Sequence, residues 1–79
     1  MENKFIKLNT IKKIKEFVHL CECCSTPIEV RRGRWCVDGA SLMGVMSLDL
    51  SEGATIVYET GTPNTKRLIE WLEINSEVE

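Results

Sequence analysis

No stretch of this sequence approaches the ~20 consecutive apolar residues that cross a bilayer, so a membrane-spanning protein is not expected. The start, Met1-Glu2-Asn3-Lys4, has no basic segment leading into an apolar one, so no export signal is expected either. Basic charge is not in surplus. Ten Lys and Arg stand against 12 Asp and Glu, for a net charge of −2, which argues against general nucleic-acid binding. Histidine occurs once, at His19. What is present is ordinary for a globular protein: 43% hydrophobic and 28% charged residues in 79, enough for one domain with a modest core. Four cysteines in a chain with no export signal read as reduced thiols, and the expected location is cytoplasmic.

The order of elements follows from spacing. Residues 3–8 read as a first strand, with Ile6 and Leu8 on one face. Asn9 and Thr10 are both fit to cap a helix, because their side-chain oxygens accept from free N–H groups. Ile11, Ile14, Phe17, Val18 and Cys21 then recur at helical spacing and predict one buried face. That helix should fade near Cys24-Ser25, ahead of Pro27. Ile28 and Val30, then Trp35 and Val37, mark two strands, with Arg31-Arg32-Gly33-Arg34 as the hairpin turn. A short helix capped by Ala40 or Ser41 follows, then a polar turn over 49–53 and a strand from Ala54 to Glu59. Thr62 is placed to cap a last helix with Pro63 at its first position and Leu68, Ile69, Trp71, Leu72 and Ile74 on its buried side. The tail from Asn75 is expected to fray. The order β-α-β-β-α-β-α predicts an α+β fold, residues 1–79 forming one domain. Its helices lie on one face of a four-stranded, mainly antiparallel sheet.

One motif is specific. The chain reads Ser41-Leu42-Met43-Gly44-Val45-Met46-Ser47-Leu48, then Glu52-Gly53-Ala54-Thr55-Ile56. This closely resembles the segment around the regulatory serine of the HPr family, the phosphocarriers of the bacterial sugar phosphotransferase system. The resemblance is strongest over residues 35–60 and implies the HPr open-faced β-sandwich. It also implies that Ser41 is the residue phosphorylated by an ATP-dependent HPr kinase, and that Leu42, Met43 and Met46 form an apolar docking patch. Leu42 and Met46, four apart, are expected on the outer face of the short helix.

The departure from the family is as informative. HPr carries phosphate on a histidine in a Gly-x-His-x-Arg-Pro motif at the start of its first helix, where free N–H groups and an arginine receive the charge. A gapless count from Ser41 puts the histidine position at Thr10, the arginine at Lys12 and the proline at Lys13. No histidine lies between Met1 and Val18. A phosphothreonine ester does not pass its phosphate on as phosphohistidine does. Thr10 and Lys12 are therefore read as a degenerate phosphoacceptor region, either a weak anion site or a plain helix cap with solvated lysine.

His19 stands about two and a half turns into the first helix, beyond reach of the helix-end dipole. It is read as an exposed or boundary residue; the rival reading makes it an atypical phosphoacceptor. Cys21 and Cys24 have a C-x-x-C spacing that Cys36 could join as a metal site, with Cys23 alongside. Against this, Cys21 continues the apolar helix face, where cysteine behaves as a small hydrophobe. Arg31, Arg32 and Arg34 form a basic turn, either solvated or a contact for an acidic partner.

The expectation is a non-enzymatic regulatory protein with no cofactor and no bound metal. It resembles the catabolite-repression paralogues of HPr, which lack the histidine and keep the serine. The resemblance implies protein partners: HPr kinase, a transcriptional regulator or phosphotransferase-system enzymes. The alternatives are a phosphocarrier using His19 and a thiol or metal protein.

Overall fold

The computed structural model describes residues 2–48, 53–62 and 64–76. The elements are β1 (Glu2–Ile6), α1 (Ile11–Glu22), β2 (Glu29–Arg32), β3 (Trp35–Asp38), α2 (Leu42–Met46), β4 (Ala54–Tyr58) and α3 (Lys66–Asn75). They follow the predicted order. The sheet runs β1-β4-β2-β3, and every pairing is antiparallel.

Alternation sets which side of the sheet is covered. In β4, Ala54, Ile56 and Tyr58 are buried while Thr55 and Val57 are partly open. In β2, Val30 is fully buried and Arg31 is exposed. Side chains alternate along a strand, so the helices cover one face and leave the other open. The core joins Ile6, Leu8, Ile28, Val30 and Ile56 to Ile14, Phe17, Val18 and Cys21 of α1, Val45 of α2, and Leu68 and Leu72 of α3. Trp71 packs half-buried against Phe17, ring centroids 5.9 Å apart.

The structure moves several expected boundaries. β1 ends at Ile6, and Leu8 is buried beyond the strand. Arg31 and Arg32 belong to β2. The turn is Gly33-Arg34 alone, between the paired Arg32 and Trp35. Gly33 has φ +61° with nothing near its missing Cβ, so a two-residue hairpin turn requires it for backbone shape only. Helix α3 starts at Lys66, so Thr62 does not cap it. Thr65 occupies the cap position, but its hydroxyl donates to the Thr62 carbonyl at 2.8 Å and caps no helix N–H. Pro63 and residues 49–52 lie outside the described residues. Ile11 and Ile74, expected in the core, are 59% and 82% exposed. Ile11 opens α1 and Ile74 is the penultimate residue of α3. Residue Ser76 is tied by a bridge to Ile6, so the chain is held to β1 up to that point.

Candidate functional site

Two helix N-termini carry the residues that the sequence singled out, and they are built alike. Thr10 is extended (φ −136°, ψ 153°) and its Oγ1 accepts from the Lys13 N–H at 3.1 Å. Ser41 is extended (φ −99°, ψ 105°) and its Oγ accepts from the Gly44 N–H at 3.1 Å. Each hydroxyl satisfies a donor that the first helical turn leaves free. Ser41, not Ala40, is the cap of α2. Ala40 is held instead by its N–H donating to the Asp38 carboxylate at 2.9 Å. Gly44 matters for Ser41, because a Cβ there would stand 3.0 Å from the Ser41 Oγ. Its absence leaves room around the hydroxyl.

Helix α2 is a single short turn with one anchor. Val45 is fully buried; Leu42, Met43 and Met46 are 37%, 85% and 48% exposed. All three therefore point outward, Met43 most of all. The C-terminal end is closed by Ser47, whose Oγ donates to the Gly44 carbonyl at 2.6 Å.

Thr10 and Met46 meet at a groove of about 440 Å³ between the start of α1 and the end of α2. Leu8, Ile11, Ile14 and Leu48 complete its walls. Ile11 and Leu48 were not expected here. The signal was available for Ile11: an apolar residue in the first turn points back toward the chain entering the helix, past the core. Ser41 stands apart, at the other end of α2. Lys12 is exposed on the first turn of α1 and lies outside the groove.

His19 is exposed on the second half of α1. It shares a second cleft, about 370 Å³, with Leu20, Cys23, Asn64, Lys66 and Arg67.

The cysteines do not converge. Cys21 is buried, and Cys23 and Cys36 are exposed. Cys36 lies opposite Arg31 on the open face of the sheet, away from the helix layer. Burial pushes the Cys21 thiol well above the ordinary range, reinforced by Cys24, Asp38 and Glu22. The half-buried Cys24 thiol is also raised, by burial and then by Cys23, and it donates to the Leu20 carbonyl at 3.3 Å. No group of three or more His, Cys, Asp or Glu that could hold a metal forms among the described residues. No helix among them is long and apolar enough to cross a membrane.

The family model described as "PTS HPr component phosphorylation site" matches residues 11–74, well over half of the chain. The chain belongs to the HPr family. Its fold is also that of a solved relative, HPr-C-His from Thermoanaerobacter tengcongensis, at TM-score 0.67 and 23% identity over 92% of each chain. At that identity the likeness speaks for the fold alone. No curated protein matches the chain. Within the HPr family, this member places a threonine cap at the head of α1 and a serine cap at the head of α2.

Proposed function

We propose that this HPr-family protein is a regulatory docking module of the phosphotransferase system, switched by phosphorylation of Ser41, and that it does not relay phosphate. The observation that carries the reading is the Ser41 end of α2. There an accessible hydroxyl heads a helix whose outer residues, Leu42, Met43 and Met46, are exposed and apolar. A phosphate on Ser41 would add two negative charges at the end of α2 where backbone N–H groups are free, which is electrostatically tolerable. Exposed Met and Leu beside it suit adaptable protein contact. The head of α1 offers only the ester-forming hydroxyl of Thr10, with Lys12 nearby, where a relay needs a nitrogen nucleophile. The partners fitting this reading are HPr kinase and a regulator that binds the phosphoserine form, in the cytoplasm.

Incubation with HPr kinase and ATP tests it. Wild type should gain one phosphate by mass and Ser41→Ala none. Failure of wild type to gain phosphate overturns the switch.

One observation favours a second reading, phosphate carriage on His19. That residue shares its cleft with Lys66 and Arg67, two cations that could receive a phosphoryl group. Incubation with phosphoenolpyruvate and enzyme I separates the two. Acid-labile phosphate that disappears in His19→Ala would establish the carrier reading; none is expected.

A further inference from the structure

One concavity lies away from both helix caps. It is a cleft of about 570 Å³ between the β2–β3 hairpin and the C-terminal end of α2, lined by Arg32, Arg34, Trp35, Val37, Ser47 and Leu48. The strand pattern explains it. Val30 and Val37 pair on the helix-covered side, and so do Arg32 and Trp35, two residues further toward the turn. The hairpin is longer than α2 can cover. Its last pair therefore faces the helix layer with no helix above it among the described residues, and Trp35 is 66% exposed.

Two properties of this cleft have no structural use in the fold. An indole standing two-thirds in water gives up the burial that would otherwise favour it. Arg34 is exposed and makes no hydrogen bond or ion pair among the described residues. Arg31, by contrast, lies on the open face and is spent on Glu29 at 2.7 Å. The cleft therefore sets a flat apolar surface beside a guanidinium that is unpaired among the described residues, in a chain of net charge −2. Its volume falls within the range of about 300–1,000 Å³ that small-molecule sites occupy.

We infer that this cleft binds a small anion carrying a planar ring, of the nucleoside phosphate class, with the ring on Trp35 and the phosphate toward Arg34. An aromatic face stacks any base, and a guanidinium takes phosphate oxygens in a two-pronged fashion. Val37 and Leu48 supply the apolar wall. The Ser47 hydroxyl spends its proton on the Gly44 carbonyl, so it is left as an acceptor for a ligand hydroxyl or amine. An extended acidic protein segment would meet the same charges, but it needs a long trough, and here seven residues line a single concavity beside one indole.

The probe is ADP. In a Trp71→Phe background, Trp35 is the one remaining indole and its fluorescence reports the cleft. ADP should quench it saturably, with half-saturation below about 1 mM. Adenosine and inorganic phosphate, each offering half of the chemistry, should bind more weakly. Arg34→Glu should weaken ADP about tenfold or more, followed by the same fluorescence. Trp35→Ala should weaken it by about tenfold or more, followed by calorimetry. Both residues are exposed, so both variants should keep the wild-type circular dichroism; Trp35→Phe, retaining the ring, should bind within a few-fold of wild type, and Arg34→Lys, retaining the charge but not the two-pronged fork, should fall between wild type and Arg34→Glu. The proposal is overturned if ADP gives no saturable change, or if Arg34→Glu and Trp35→Ala bind ADP as wild type does. It is equally overturned if a Glu-rich peptide with a single Leu quenches Trp35 and ADP does not. Phosphorylation of Ser41 should be unaffected by either variant.

Discussion

The heads of α1 and α2 are near copies in hydrogen-bond geometry, each a hydroxyl accepting at 3.1 Å from the N–H three residues on. What stands behind each cap differs. Helix α1 has 12 residues and buries Ile14, Phe17, Val18 and Cys21. Helix α2 has five residues and buries Val45 alone. The first cap finishes a helix that packing already holds. The second belongs to an element that hangs on one side chain and presents the rest outward. A charge added at the first end works against a rigid support; at the second it acts on a piece that is easily moved. Identical capping chemistry thus serves two different ends, and the packing behind it decides which.

Substitutions can break this contrast. Phe17→Ala removes the centre of α1's support and should cost about 3–5 kcal/mol in urea unfolding. Val45→Ala should cost about 2 kcal/mol globally, yet it should raise amide exchange across α2 first while leaving α1 protected. Uniform exchange in both helices would show that α2 is not separately supported. Alkali offers a third probe. The Cys21 thiol is held above its ordinary value of 9.0 by burial. The folded state therefore keeps a proton that the unfolded state loses above that pH. Its contribution is fully present below pH 9 and declines above it, by at most about 1.4 kcal/mol per pH unit. Cys21→Ala should flatten the decline. The two caps themselves should give the next smaller effect: Thr10→Ala and Ser41→Ala each about 1 kcal/mol or less, with Ser41→Ala the lesser if α2 opens locally. Met43→Ser should change stability by no more than about 0.5 kcal/mol, and it should weaken binding of the phosphoserine form to its regulator, measured by calorimetry.

How much of this was legible beforehand depends on the range of the deciding interaction. Periodicity within α1 and β4 identified their buried faces, because those patterns are local. The cap of α2 was legible to within one residue, Ala40 or Ser41, because it needs only local sequence, and the structure decides for Ser41. Ile11 and Ile74 misled, since each falls at helical spacing in the terminal turn of its helix and is left exposed there. The start of α3 was missed because Thr65 turns its hydroxyl back to Thr62, a local alternative to capping that the spacing of Thr62 and Pro63 conceals. Arg31 and Arg32 looked like turn residues by composition, and only their pairing with Cys36 and Trp35 assigns them to β2. The groove joining Thr10 to Met46 and the cleft beside Trp35 were not legible. Both are gaps between elements distant in sequence, set by how far α2 reaches along the sheet. The Ser41 motif pointed to the family that the family model then matched over residues 11–74.

The graded burial of the four thiols makes the molecule its own stopwatch. A small alkylating agent will mark Cys23 and Cys36 at once and reach Cys24 more slowly. It will reach Cys21 only when α1 lifts from the sheet, so the last label to arrive times the opening of the core without any dye or engineered reporter.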